Sequence, residues 1–153
     1  MELEQVNAIL DRYEMRRGLL VPILQDVQAV YNYLPREALE VVARRRHIPL
    51  SQVYSVANFY TAFSLVPRGK NIISVCIGTA CHVRGAPLVL EQLEQELKIK
   101  AGETTPDRLW TLLTVYCLGA CALGPIMVVN GEYHGNMTRA TVTDVLHEHA
   151  TSR

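Results

Sequence analysis

Four cysteines, arranged as two short pairs, constrain this chain more than any other feature. Cys76 and Cys81 lie in the segment VCIGTACHVRGA, with four residues between them. Cys117 and Cys121 lie in YCLGACALGP, with three residues between them. The chain has no other cysteine, and 35 residues separate the two pairs. A fold that brings these pairs together would create one site with four sulfur ligands.

The first third of the chain has the apolar spacing of short helices. Four helices are predicted, the third opened by Pro35 and the fourth capped by Ser51. Their inward residues are expected to include Val6, Ile9, Leu10, Ile23, Leu24, Val27, Leu39, Val42, Val53, Val56, Phe59, Tyr60 and Phe63. The turn-rich segment 67–71 then marks a boundary. The predicted organisation is a four-helix subdomain over residues 1–68 and a second domain over residues 69–153.

The period of the apolar pattern changes after this boundary. A β-branched strand runs into Cys76, a helix follows from about Ala86, and a second strand over 109–116 runs into Cys117. A third strand ends at the hairpin signal Asn130-Gly131, and a last helix starts at Thr138 or Thr141. This order predicts an α/β fold with a mixed sheet in a thioredoxin-like arrangement. Pro125, just before the third strand, is hypothesised to follow a cis peptide bond.

Charge and hydropathy exclude several classes of function. The formal net charge is zero, which argues against nucleic-acid binding because that requires a positive field. Residues 109–129 carry no charge, but their glycines, proline and cysteines favour buried strands over a membrane span, and no direct membrane insertion is expected. The acidic, amphipathic start lacks the features of a secretory signal, so we expect a cytoplasmic protein. His147 and His149, near the C-terminus, are expected to be solvated.

Several kinds of site could use four cysteines. Buried structural cysteines are rarely all paired at short spacing, and disulfides are rare in a reducing compartment. Thiol–disulfide exchange usually runs through a C-x-x-C motif, which is absent. A structural zinc site remains open, since four-cysteine zinc is common. The wider loops favour a 2Fe–2S cluster, and plant-type ferredoxins also contain a C-x₄-C element.

Several segments together resemble the thioredoxin-like 2Fe–2S ferredoxin family. They are CIGTACHVRGA (76–86), GETTPD (102–107), CLGACALGP (117–125), VNGEYHGNMT (129–138) and the helix IPLSQVYSVANFYTAF (48–63). That family includes the small iron–sulfur subunit of NADH:quinone oxidoreductase (complex I) and the corresponding subunits of NAD-linked [FeFe] hydrogenases and formate dehydrogenases. Two positions depart from the family pattern, since Gly124 stands in place of an alanine and Arg108 in place of a glycine.

The resemblance implies that Cys76, Cys81, Cys117 and Cys121 ligate one 2Fe–2S cluster, and it implies no catalytic residue. The chain contains no G-x-G-x-x-G loop, so FMN and NAD(H) are expected only in a larger flavin- and NAD(H)-binding iron–sulfur partner subunit. The implied function is therefore that of a non-catalytic one-electron carrier, with a zinc-stabilised protein-binding module as the alternative. Quinone, hydrogen and formate all remain possible terminal substrates of the complex.

Overall fold

Two units of different architecture follow one another along the chain. The structure, a computed structural model, describes residues 3–13 and 18–151. The chain divides into the units Met1–Arg68 and Gly69–Arg153. Each unit has its own cluster of buried apolar side chains, so each one is described by itself.

The first unit contains four α-helices, as the apolar spacing predicts. They are α1 (Leu3–Arg12), α2 (Leu20–Tyr31), α3 (Arg36–Arg46) and α4 (Leu50–Phe59). Helix α1 packs against α2 and α3, and α4 packs against the same two helices. The buried residues include Val6, Ile9, Leu10, Ile23, Leu24, Val27, Leu39, Val42 and Val53. Each such side chain stabilises the fold by roughly 1.5–3 kcal/mol when fully buried, so this shared core holds the four helices together.

The fourth helix differs from its prediction at both ends. It begins one residue before Ser51, after Pro49, whose ring fixes φ at −59° and so sets the first turn. The helix then ends at Phe59, which is 77% exposed, and the neighbouring Tyr60 is 43% exposed. The prediction that both aromatic rings point inward was therefore wrong. Phe63 is buried, but the chain reaches it after the helix has ended.

The second unit contains a four-stranded mixed sheet. Its strands are β1 (Asn71–Cys76), β2 (Trp110–Val115), β3 (Met127–Val129) and β4 (Glu132–His134), in the order β2-β1-β3-β4. Strands β1 and β2 are parallel, whereas β3 runs antiparallel to β1 and to β4. Parallel neighbours need a crossover, and this one contains helices α5 (Thr79–Val83) and α6 (Ala86–Leu97). The predicted α/β class with a mixed sheet is confirmed.

The turns of this unit follow the chemistry of their residues. Asn130 and Gly131 both have positive φ, 52° and 90°, and they join β3 to β4 as the Asn-Gly signal predicts. The Thr138 hydroxyl accepts a hydrogen bond from the Thr141 N–H at 3.3 Å, and helix α7 (Arg139–Thr151) begins after it. The peptide bond between Gly124 and Pro125 is cis, as hypothesised.

The uncharged segment 109–129 does not form a helix of membrane-spanning length. In the structure this segment forms β2, the second cysteine loop and β3, and it contains no long helix. Among residues 3–13 and 18–151, no helix is long and apolar enough to cross a membrane.

Candidate metal centre

The sheet brings the two cysteine pairs to one edge. Cys76 is the last residue of β1 and lies opposite Val115, the last residue of β2. Because parallel strands end at the same edge of a sheet, Cys117 follows β2 beside Cys76. The Cys76 N–H donates to the Ile126 carbonyl oxygen at 3.0 Å, and the Ile77 N–H donates to that of Val115 at 2.8 Å. The first cysteine is thus fixed between both neighbouring strands.

The second cysteine of each pair lies on a short helical turn, where only loops were expected. Cys81 is in helix α5 (Thr79–Val83), and Cys121 begins a 3₁₀ turn that ends at Leu123. Cys76 and Cys81 are 2% and 1% exposed, whereas Cys117 and Cys121 are exposed. All four cysteines lie in the described part of the chain, and none forms a disulfide. The site therefore has a buried side and an accessible side.

Backbone N–H groups point at the sulfur atoms from both loops. The N–H groups of Gly78 and Leu118 donate to the Cys76 sulfur, and that of Ile126 donates to the Cys81 sulfur. The Gly119 N–H donates to the Cys117 sulfur at 3.3 Å. Leu118 belongs to the second cysteine loop, so its bond ties that loop to a sulfur of the first. Such donors stabilise negative charge on thiolates before any metal binds.

The thiols of this site do not ionise alike. Burial raises the pKa of the Cys76 thiol, but the N–H donors and the Cys81 thiol outweigh it, and the pKa falls below its ordinary value. The pKa of Cys81 is raised, first by burial and then by Cys76. The pKa of Cys121 is raised by its hydrogen bond with Cys117 and by the charge of that neighbour. The sulfurs within each pair therefore interact directly, and they sense the other pair more weakly.

One glycine leaves space that the site requires, and a second lies close to one of the ligands. A Cβ at Gly78 would lie 2.1 Å from the Tyr116 carbonyl oxygen and 3.6 Å from the Cys76 sulfur. A Cβ at Gly124 would lie 3.1 Å from the Cys81 sulfur. Neither glycine has a positive φ, so close approach is the reason for glycine at Gly78. The two loops can approach each other this closely only because a side chain is missing there.

Arg84 has a role that its sequence position did not reveal. In the structure the Arg84 guanidinium donates to the carbonyl oxygens of Cys121 and Ala122, at 3.0 and 2.9 Å. Arg84 thus ties helix α5 to the 3₁₀ turn, while His82 is exposed. Sequence alone carried no signal for this contact, because it joins two loops that only the fold brings together.

The spacing of the sulfurs discriminates between one metal ion and two. In a tetrahedral zinc site with Zn–S bonds of about 2.3 Å, all sulfurs lie about 3.8 Å apart. Zinc needs at least three donor atoms close together. Among the described residues, one group of His, Cys, Asp or Glu side chains has three donor atoms within 4.8 Å of one another, and it consists of Glu132, His134 and His149. No three cysteine sulfurs in the described part of the chain meet this limit. Two close pairs, separated from each other, fit two irons better than one zinc.

Comparisons with known proteins agree with this geometry. The family model described as thioredoxin-like [2Fe-2S] ferredoxin matches residues 6–150. The NADP-reducing hydrogenase subunit HndA of Solidesulfovibrio fructosivorans is 42% identical over 145 residues, which cover 95% of this chain and 85% of that relative. An NADH-quinone oxidoreductase subunit of Rhizobium meliloti (strain 1021) is 39% identical over 143 residues, covering 94% of this chain and 85% of that relative.

One solved structure shares the fold over most of the chain. It is the crystal structure of an NAD+-reducing [NiFe]-hydrogenase in the air-oxidized state, with a TM-score of 0.77 and 19% identity. The match covers 88% of this chain and 23% of that one, so the present chain spans about a quarter of the solved chain. At this identity the likeness concerns the fold alone.

Proposed function

Because this chain belongs to the thioredoxin-like [2Fe-2S] ferredoxin family, we propose that it is the one-electron carrier subunit of a multi-subunit NAD(P)H-linked oxidoreductase. Its ligands for a single 2Fe–2S cluster are Cys76, Cys81, Cys117 and Cys121. The convergence of two close sulfur pairs at one edge of the sheet carries this proposal. Family and relatives alike favour an electron carrier over the zinc-stabilised binding module.

The chain itself prepares the charge of the site. A bound 2Fe–2S cluster supplies one-electron redox chemistry at low potential when four cysteines ligate it. The N–H donors of Gly78, Leu118, Gly119 and Ile126 stabilise the thiolates that must hold the irons. These donors belong to the backbone and are fixed by the fold, so little reorganisation accompanies a change of charge.

An apolar rim on the accessible side of the site fits a protein partner. Tyr116 is 83% exposed, Val83 is 81% exposed and Leu123 is 51% exposed, and each lies within two residues of a cysteine. Exposed aromatic and aliphatic side chains next to a functional site mark protein interaction surfaces. We assign this rim to the larger flavin- and NAD(H)-binding iron–sulfur subunit. The flavin of that subunit would accept the hydride and would then have to pass single electrons to the site of this chain.

The names of the relatives support this partner class without deciding between its members. HndA is named for an NADP-reducing hydrogenase, and the Rhizobium meliloti relative is named for an NADH-quinone oxidoreductase. Both names describe a subunit of an enzyme that uses a nicotinamide cofactor. A site that uses all four cysteines as metal ligands, with no disulfide among them, is typical of a reducing compartment, and we infer a cytoplasmic location.

Anaerobic co-purification with a matched pair of variants tests the partner. The tagged chain should retain a flavin-containing subunit, and NADH or NADPH should then give the paramagnetic signal of the reduced cluster. Tyr116→Ser should weaken the complex by about tenfold or more, as truncation of a central interface tyrosine typically does. Tyr133→Ser, at a 57% exposed tyrosine on the opposite edge strand, should leave binding unchanged. Reduction of the isolated chain by NADH, or equal binding by both variants, would refute the assignment.

A further inference from the structure

Strand β4 and the last helix bring together three metal-ligating side chains away from the cysteines. Glu132 and His134 are two residues apart on β4, so both side chains lie on the same face of the strand. His149 reaches this face from the last turns of α7. The expectation that His149 is solvated was wrong, since its side chain is only 12% exposed.

The donor atoms of the three side chains have the spacing of a coordination sphere. The Nε2 atoms of His134 and His149 are 3.2 Å apart, and the His149 Nε2 is 3.7 Å from a Glu132 carboxylate oxygen. All three donor atoms lie within 4.8 Å of one another. Tetrahedral zinc with bonds of about 2.0–2.2 Å places its nitrogen and oxygen ligands about 3.3–3.6 Å apart. The distances of 3.2 Å and 3.7 Å bracket this range.

The orientation of the rings also suits a shared ion. The two imidazoles meet nearly perpendicular, with an interplanar angle of 89°. Their centroids are 5.3 Å apart whereas their Nε2 atoms are only 3.2 Å apart, so both Nε2 atoms face the space between the rings. Two neutral imidazoles can instead share one hydrogen bond, but only as complementary tautomers. The Glu132 carboxylate beside them adds a negative charge that favours a cation. Its side chain is 64% exposed, which leaves a path for the ion and a fourth position for water.

We propose that Glu132, His134 and His149 form a binding site for one divalent transition metal ion, with Zn²⁺ as the ion whose ligand preference matches best. The site joins β4 to the C-terminal end of α7. Two residues after His134, the Asn136 N–H donates to the Leu123 carbonyl oxygen at 2.7 Å. Leu123 is the last residue of the 3₁₀ turn that begins at Cys121. A metal ion bound here would therefore hold in place a strand that is connected to that turn. The ion has a structural role, separate from electron transfer.

Zinc binding to the cluster-loaded full chain tests this site. The protein is dialysed anaerobically against micromolar Zn²⁺, and zinc and iron are counted together while visible absorbance verifies that the cluster remains. We expect one zinc per two irons and a rise of several degrees in the unfolding temperature. The variants His149→Gln and Glu132→Gln are compared with His147→Gln, at an exposed histidine on the same helix that is outside the trio.

Loss of a residue that only hydrogen-bonds to a metal ligand typically weakens metal binding by ~10–100-fold. The variants His149→Gln and Glu132→Gln remove a ligand itself, so they should weaken zinc binding by more than that. His147→Gln should retain full binding, and Glu132, being exposed, can be replaced without unfolding the chain. If wild-type protein with an intact cluster takes up no zinc, the two imidazoles share a hydrogen bond and the proposal is wrong. Equal zinc uptake by the wild type and His149→Gln would overturn it as well.

Discussion

Replacing Gly78 by alanine should force the two cysteine loops apart. The new Cβ would lie 2.1 Å from the Tyr116 carbonyl oxygen, whereas a carbon–oxygen contact needs about 3.3 Å. The ends of β1 and β2 must therefore separate by about 1 Å. Tyr116 leads directly into Cys117, and the Leu118 N–H donates to Cys76, so the same movement spreads the ligands.

The loss of folding free energy expected from this movement depends on how rigidly the Tyr116 carbonyl group is held. Overpacking costs about 1–3 kcal/mol, and a backbone carbonyl cannot rotate away as a side chain can, so we expect about 3 kcal/mol. For a chain of 153 residues this lowers the unfolding temperature by roughly 6–12 °C. Iron and acid-labile sulfide per chain, with thermal unfolding at one scan rate, measure both effects. The variant should lose most of its cluster.

Two other glycines serve as controls for Gly78→Ala. Gly102 has a φ of 93°, and a Cβ added there would have no atom within 4 Å, so Gly102→Ala adds conformational strain of about 1 kcal/mol but no clash near the site. Gly124→Ala meets the Cys81 sulfur at 3.1 Å and should show a small effect. A Gly78→Ala protein that keeps its full cluster and is no less stable than Gly102→Ala would refute the steric argument.

Two further predictions concern polar contacts. Arg84→Met removes both hydrogen bonds to the carbonyl oxygens of Cys121 and Ala122. Because these bonds are exposed, the variant should lose only about 1 kcal/mol of stability, but it should lose its cluster to a chelator faster than the wild type. An unchanged rate of cluster loss would contradict the role of Arg84 in joining the two turns. The hydrogen bond from Tyr13 to Asp26 raises the pKa of the Tyr13 phenol above its ordinary value near 10. Because the neutral phenol is the favoured form, the stability that this bond contributes is present below pH 10 and lost as pH rises through the raised pKa. Tyr13→Phe should therefore be less stable than the wild type at pH 7, with the gap closing in alkali, whereas a gap that is constant with pH would contradict the assignment.

The fold could be predicted because its signals are local. Helical spacing, the change of period near residue 69 and the Asn130-Gly131 hairpin each act over a few residues, and each one indicated the element that forms. The fourth helix shows the limit of such patterns. Phe59 and Tyr60 continue its apolar stripe, but the helix ends there, and no periodicity reveals that these rings are exposed.

The cysteines were identifiable from spacing, whereas the groups that support them were not. The N–H donors at Gly78 and Ile126 carry no side-chain signature, and Arg84 contacts a turn that is distant in sequence. Likewise, the alternation of Glu132 and His134 on a strand predicts a shared face, but only the packing of α7 brings His149 to it. Contacts between distant segments depend on tertiary structure.

The two departures from the family pattern have physical consequences that the structure makes visible. Arg108 adopts a φ of 56°, the left-handed region that favours glycine, so the turn at this position carries some conformational strain. Gly124 has an ordinary φ of −64°, and an alanine there would touch the Cys81 sulfur at 3.1 Å. Neither position changes a cysteine, so both affect the shape of a loop and leave the set of ligands intact.

Metal and sulfide analysis of the anaerobically purified chain tests the central claim most directly. The account predicts two irons and two acid-labile sulfides per chain, a visible absorbance, and a paramagnetic signal on one-electron reduction. Serine at any one of Cys76, Cys81, Cys117 or Cys121 should reduce or abolish all three. A folded, partner-bound chain that is colourless and holds one zinc on its four cysteines would contradict the account.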